Sequence, residues 1–350
     1  ITVKVDHAII DLNGHSITNH AADGYGLEIT SDSNLTEAET GVIVRNSSGD
    51  VSRITADIPL HAHSGNSMKA MPVTLGENIE LHSSSGSTSI ELGSAAYMEY
   101  SERIDAYITS GGFRSTHEDG KQYVHGSFTQ AAENDVDHTA VLLNDHHGSI
   151  SLSAENMDLT LDLDGHTVTS NGSAVIRLQT SDSTLTIKNG TMINTDGTGA
   201  EVAIPAGGAP GGGMTYYHRA TLNLEDVDLK ATGTANDDYG IVCNGVSTGI
   251  QIHLKGGSVT TEGGIGIYFP AADSTLTIDG TQISGSTGVA VKGGTVTVTN
   301  DAVITGTGAL QEPTEGASNG VYDTGAALYV EGNYDRDIQV NIDSGTFRSE

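Results

Sequence analysis

The chain has no tryptophan, one cysteine, and 15 basic residues against 45 acidic ones in a length of 350. Each scarcity excludes something. The lone cysteine, Cys243 in IVCNG, rules out a disulfide framework within the chain, and its apolar neighbours read as those of a buried filler. A formal net charge of -30 argues against nucleic acid and against an anionic membrane surface as partners. Such a surface reads first as a solvated one. Beyond that, stacked Asp and Glu suit a divalent cation such as Ca2+, or adaptation to high salt, and no cofactor is required. No apolar run is long enough for a transmembrane helix and no signal-peptide pattern is found. The opening segment, ITVKV, is strand-like and reads as the start of a mature or excised fragment. The missing tryptophan takes away the side chain that stacks most strongly on sugars.

What is present is a repeat. An octad of the form apolar, any, apolar, any, turn former, two variable residues, apolar recurs nine times: IDLNGHSI (10–17), AYITSGGF (106–113), LDLDGHTV (161–168), LTIKNGTM (185–192), LNLEDVDL (222–229), IHLKGGSV (252–259), LTIDGTQI (276–283), VTVTNDAV (296–303) and VNIDSGTF (340–347). Its fifth position holds Gly14, Ser110, Gly165, Asn189, Asp226, Gly256, Gly280, Asn300 and Ser344. Seven of these are Gly, Asn or Asp, the residues that enter the left-handed region at least cost. Apolar residues at period two, a bend, and another apolar residue describe a strand that turns a corner into a second strand. No single copy can bury its own apolar row, so repetition implies an all-β solenoid in which each copy stacks on the next.

From residue 161 onward the copies start 24, 37, 30, 24, 20 and 44 residues apart. The shortest spacings fit one coil of three short strands and three turns, with abundant Gly, Thr, Ser, Val and Ile to match. The excess falls in 193–215, 230–240 and 304–327, each after the eighth octad residue, which predicts three long loops on one edge of the solenoid. A longer repeat sits above the coils. ITVKVDHAIIDLNGHSIT (1–18) lines up with ISLSAENMDLTLDLDGHTVT (150–169), and RIDAYITSGGFRST (103–116) with RDIQVNIDSGTFRSE (336–350). Two units are therefore expected, 1–116 and 149–350. The segment 117–148, which lacks the octad, would serve as a cap or junction, with FTQAAEN as a short helix and HTAVLLN as a strand.

The phrases LDLDGHTVTSNG, DLNGHSIT, STLTIDGTQISG and NIDSGTF resemble the right-handed parallel β-helix domains, of pectate-lyase-like fold, in large secreted and surface-anchored bacterial proteins. AAENDVDHTAVLLNDHHGSISLSAENMDLTLDLDGH resembles the segment that leads into those domains. The resemblance implies an extracellular or cell-surface location, as part of a larger protein, but leaves the role open among adhesins, stalks and polysaccharide-degrading enzymes. The reading adopted is a non-enzymatic adhesin or stalk module that binds glycans or a partner protein through its loop edge. A polysaccharide hydrolase or lyase is the alternative, and a purely structural spacer the third.

The β-helical polygalacturonases use an Asn-Thr-Asp motif, an Asp-Asp pair, Gly-His-Gly and Arg-x-Lys, with carboxylates as acid and base. Here Asn194-Thr195-Asp196 and Asp237-Asp238 match the first two, making Asp196, Asp237 and Asp238 the catalytic alternative, while the other two motifs are missing. Among fourteen histidines, His15 and His166 share one place after the turn glycine and read as structural. His61 and His63 would share one strand face as metal ligands, and Asp145-His146-His147 is a similar fragment, neither with further ligands at a diagnostic spacing. The predicted loop edge carries Tyr216, Tyr217 and His218, then Asp237, Asp238 and Tyr239, then Tyr322 and Asp323. Aromatic faces beside carboxylates suit sugar C–H faces and hydroxyls, so these eight residues are the candidate ligand-binding strip.

Overall fold

The computed structural model describes residues 1–4, 7–31, 41–64, 71–93, 96–206, 214–233, 238–311, 324–332 and 336–350. Among them strand dominates, and helix is confined to two short segments. Contacts divide the chain into two compact units, Ile1–His147 with Leu161–His166, and Gly148–Thr160 with Thr167–Glu350.

The second unit is built from three long parallel ladders that the chain visits in turn. The first runs through the leading halves of Thr184–Asn194 and Thr221–Ala231, then Gln251–Lys255, Thr275–Asp279, Gly294–Thr299 and Ile338–Ile342. The second joins Thr167–Ser170, the trailing halves of the same two long strands, Ser258–Thr261, Gln282–Gly285, Val303–Gly306 and Thr346–Ser349. The third has seven strands: Ile150–Leu152, Ala174–Leu178, Thr198–Val202, Ile241–Cys243, Ile267–Phe269, Val289–Val291 and Leu328–Val330.

Register follows the octad. In-register pairing stacks Leu185, Leu222, Ile252, Leu276 and Val296 from position one, all fully buried. Position three stacks Ile187, Leu224, Leu254, Ile278 and Val298, and position eight stacks Val168, Met192, Leu229, Val259 and Ile283, none more than 3% exposed. Each such side chain contributes roughly 1.5–3 kcal/mol on burial, so the rows are the main source of stability. Between positions three and eight the backbone bends through the left-handed region, with φ of 60° at Asn189, 53° at Asp226, 65° at Gly256, 64° at Gly280 and 53° at Asn300.

Three copies depart from the pattern in distinct ways. In VTVTNDAV the eighth residue, Val303, is only half-buried, and Ile304 takes the place in the row opposite Ile283. The corner holds an extra residue, with both Asn300 and Asp301 at positive φ (53° and 57°), which shifts the following strand by one. In AYITSGGF the expected strand is absent: Glu102–Tyr107 is a helix, α1, and Ile108 makes only an isolated bridge to Leu81. In the last copy, Ile342 is paired with Val298 yet 51% exposed.

A column of glycines marks the corner where the chain turns into the third ladder. A Cβ on Gly199, Gly240, Gly266 or Gly288 would lie 2.3–2.4 Å from a carbonyl oxygen at the start of the neighbouring third-ladder strand, at Gly240, Gly266, Gly288 and Ala327 respectively. The same space is shared with the position-eight side chains: a Cβ on Gly240, Gly266 or Gly288 would stand 2.7–2.9 Å from Val259, Ile283 or Ile304. Only glycine permits that close approach of backbones.

The first unit holds three shorter parallel ladders: Thr2–Lys4, Tyr25–Thr30, Ile58–His63 and Ile90–Leu92; His7–Asp11, Gly41–Arg45, Met71–Leu75 and Ala96–Glu99; and Ile17–Thr18, Ser52–Ala56 and Ile79–Ser83. Pairing then changes to antiparallel. Phe113–Thr116 pairs with Gln122–His125 and with Thr139–Leu142. The FTQAAEN segment forms helix α2, Phe128–Asn134, started by Ser127, whose hydroxyl accepts from the Gln130 N–H. Phe128, Ala131 and Ala132 of α2 are buried.

Candidate functional site

The strands of the third ladder are short, and alternation leaves one residue of each on the outer side. That outer row, in register, is Arg177, Glu201, Val242, Tyr268, Ala290 and Tyr329. It starts charged, with Arg177 Nε 3.4 Å from Glu201 Oε2, and becomes apolar. Tyr268 is only 9% exposed and Ala290 is fully buried; with Ile265 they form a second apolar cluster, against which Tyr239, Val242 and Tyr329 pack. The rings of Tyr239 and Tyr268 lie 5.8 Å apart, tilted by 30°.

A buried ion pair sits beside this cluster. Lys292 Nζ is 3.0 Å from Glu331 Oε2, with the lysine side chain out of solvent and the glutamate 12% exposed. The ammonium also stands 5.8 Å from the Tyr268 ring centre, within cation–π range.

Next to the rings opens a cavity of about 460 Å³, walled by Tyr239, Tyr268, Val242, Val246, Ile204 and Pro270, with Asn244 and Arg336 as polar walls. Arg336 is held in place by donating to the Pro270 carbonyl oxygen. Among the described residues, no carboxylate lines the cavity. In a chain of net charge -30, this is a local exception to the acidic surface. Cys243 borders the cavity but is 1% exposed, and burial pushes its thiol up to about 12. It stays a protonated thiol, not a nucleophile. Its described walls therefore offer aromatic faces, a guanidinium and an amide: groups that hold a polar, ring-shaped molecule.

Among the described residues of the expected strip, Tyr216, Tyr217 and His218 stand at a different corner from Asp238 and Tyr239. Thr198–Val202, inside the 193–215 segment, is a strand paired on both sides, with Ala174–Leu178 and with Ile241–Cys243. The long part of that segment therefore follows a third-ladder strand, whereas 232–240 and 307–327 precede theirs. Tyr216, Tyr217 and His218 thus stand at the corner that leads into the first ladder, Tyr239 and Asp238 at the corner that leads into the third. The expectation of three loops stacked on one edge is corrected accordingly; the octad marks one corner, and the count of residues after it does not reveal which of the next two has grown.

Tyr216 is 48% exposed, and Tyr217 is half-buried. His218 is tied down: its N–H donates to Ser181 Oγ at 3.1 Å, its carbonyl accepts from Asp182, and its Nδ1 is 3.1 Å from Thr248 Oγ1. Of the described residues of the expected strip, Tyr239 alone joins the cavity wall. Asp238 accepts from the Thr261 hydroxyl through its carbonyl. Asp237, Tyr322 and Asp323 lie outside the described residues. In the Asn-Thr-Asp triplet, Asn194 is fully buried and donates to the Gly172 and Thr198 carbonyls, Thr195 donates to Ser170, and Asp196 is exposed. That triplet closes a corner.

His61 and His63 do share one face, their rings 5.2 Å apart, with Tyr25 stacked on His61 at 4.1 Å. Among the described residues no group of three or more His, Cys, Asp or Glu is arranged to hold a metal ion. No helix among them is long and apolar enough to cross a membrane. Tyr268, Lys292, Glu331 and Arg336 escaped the sequence reading because coil stacking brings them together across tens of residues; the only local signal was an aromatic centre in IYF and LYV.

No protein-family profile matches the chain, and comparison with curated proteins and with solved structures finds no match either. The likeness to pectate-lyase-like domains therefore rests on the octad phrases, with which the long parallel sheets are compatible.

Proposed function

We propose that both sets of parallel ladders are right-handed parallel β-helices of the pectate-lyase-like kind, and that the chain is a non-enzymatic extracellular module of adhesin or stalk type that binds a glycan beside Tyr239 and Tyr268. The observation that carries this reading is the cavity itself: tyrosine faces for sugar C–H groups, with Arg336 and Asn244 for hydroxyls or a sugar carboxylate. The chemistry of its walls supports binding, and among the described residues they supply no acid–base pair for cleaving a glycosidic bond.

A glycan array covering neutral and acidic sugars, followed by calorimetry on the hits, tests this. Binding that weakens at least tenfold in Tyr239→Ala and in Arg336→Ala supports it. Binding that survives the combined replacement, or no binding at all, leaves the structural spacer as the better reading. Release of reducing ends or of unsaturated products would identify a polysaccharide hydrolase or lyase instead.

A further inference from the structure

The antiparallel hairpin of the first unit carries a group of side chains unrelated to the cavity above. Alternation along Phe113–Thr116 and the residue after it, and along Gln122–His125, places Ser115, His117, Tyr123 and His125 on one side of the hairpin, with Ser115 directly opposite Tyr123 and Phe113 opposite His125. Three polar atoms converge there. His125 Nε2 is 2.9 Å from Ser115 Oγ, His117 Nε2 is 3.1 Å from the same oxygen, and the two ring nitrogens are 3.3 Å apart. Ser115 and His125 are buried, at 2% and 5% exposure, so the group is fixed by its surroundings. The Tyr123 ring centre lies 4.3 Å from that of His117, tilted by 44°, and its hydroxyl donates to Asp119 Oδ2 at 2.7 Å.

Zinc binds imidazole nitrogen at about 2.0–2.1 Å and prefers tetrahedral angles, which puts two such nitrogens roughly 3.3–3.4 Å apart. The spacing of His117 and His125 matches, and the Ser115 oxygen, 2.9 and 3.1 Å from the two nitrogens, would move outward by a few tenths of an ångström to serve as a third donor. His117 also lines a cavity of about 620 Å³ whose other walls include Glu118, Asp119, Glu133 and Asp135. Asp119 and Asp135 already accept hydrogen bonds from the backbone, so these carboxylates act as a field that concentrates cations, not as ligands.

We propose that His117 and His125, with Ser115 as third donor, form a site for one imidazole-preferring divalent transition metal, Zn2+ being the probe, and that the metal clips the two strands of the hairpin together. Softness separates this site from a calcium site: two ring nitrogens select Zn2+, Co2+ or Ni2+ over Ca2+ and Mg2+. A serine nucleophile with a histidine base is the competing reading of the same atoms. Burial of Ser115 and the convergence of two imidazoles on one oxygen disfavour it.

The test uses the whole chain after chelator treatment. Calorimetry should find one Zn2+ per chain in the tightest class, Zn2+ should raise Tm by several degrees, and Co2+ should give the visible absorption of a tetrahedral nitrogen-ligated ion. His117→Ala should lose all three while keeping its circular dichroism. Should that variant fail to fold, the wild type decides: the imidazole ¹⁵Nε2 signals of His117 and His125 should move on addition of Zn2+. The site is refuted if Zn2+ uptake is unchanged in His117→Ala, if Ca2+ raises Tm as much as Zn2+ does, or if other histidines shift while these two do not.

Discussion

Gly266 approaches Gly288 so closely that a Cβ on the first would stand 2.4 Å from the carbonyl oxygen of the second. Backbone cannot yield as a flexible side chain can, and Ile283 fills the adjoining space. Gly266→Ala is therefore expected to destabilise the second unit by about 1–3 kcal/mol, as overpacking does. Urea denaturation should show a lower midpoint, whereas Gly165→Ala, where a Cβ meets nothing within 4 Å, should pay only for its φ of 85°.

Ile278 lies in the position-three row between Leu254 and Val298 and is fully buried. Ile278→Ala should cost about 2–5 kcal/mol through lost burial and the cavity left behind. Ile278→Asp should prevent folding of the unit, because a carboxylate there has no partner. A soluble Ile278→Asp chain with unchanged circular dichroism would contradict the stacked core.

Lys292 and Glu331 need each other. Lys292→Met strands a carboxylate beside Tyr268 and is expected to cost about 3–5 kcal/mol. Adding Glu331→Gln should recover much of that loss. A double-mutant cycle measures the coupling directly.

Cys243 should resist alkylation. Burial holds its thiol at about 12, so thiolate is scarce at pH 8 and access is blocked. Iodoacetamide is expected to label the chain only in denaturant; stoichiometric labelling of the native protein would mean that the third ladder opens locally.

His146 couples stability to pH. Burial, the largest cause, pulls its folded-state pKa below that of an ordinary histidine, partly opposed by a hydrogen bond with the Ser87 backbone. A depressed histidine favours the folded state only while neutral. Its contribution is thus full above the unfolded value of about 6.5 and falls away as pH drops through that value toward the lower folded one. Denaturation midpoints at pH 7.5 and at pH 5 should differ less in His146→Asn than in the wild type.

Much of the second unit was legible because its information is local. An octad states which residues face inward and where the bend falls, and Leu276, Ile278, Gly280 and Ile283 sit as that pattern requires. The FTQAAEN helix was legible from residue type alone. Long-range facts were not. Whether inserted residues precede or follow a third-ladder strand depends on pairing partners far along the chain, so Tyr216 and Tyr239 were placed on one edge when a paired strand, Thr198–Val202, separates their corners. Helix α1 replaced a strand at AYITSGGF because Ile104, Tyr107 and Ile108 lie at i, i+3 and i+4, a helical face that overlaps the start of that octad and buries Ile104 and Ile108. The glycine column carried no signal beyond composition, since close approach of backbones depends on the neighbouring coil.

The doubled corner at Asn300 and Asp301 acts on the chain much as a suppressor acts on a shifted reading frame. A single inserted residue in a strand turns every later side chain to the opposite face. Here the left-handed corner absorbs the insertion before the next strand starts, six residues separating Val298 from Ile304 where five separate Ile278 from Ile283, and Ile304 recovers the phase in register with Ile283. Asparagine and aspartate tolerate that conformation better than most residues, which makes the octad corner a place where length can change by one without rewriting the strands downstream. Insertions and deletions confined to this corner are then nearly silent, while the same changes one strand later scramble inside and outside.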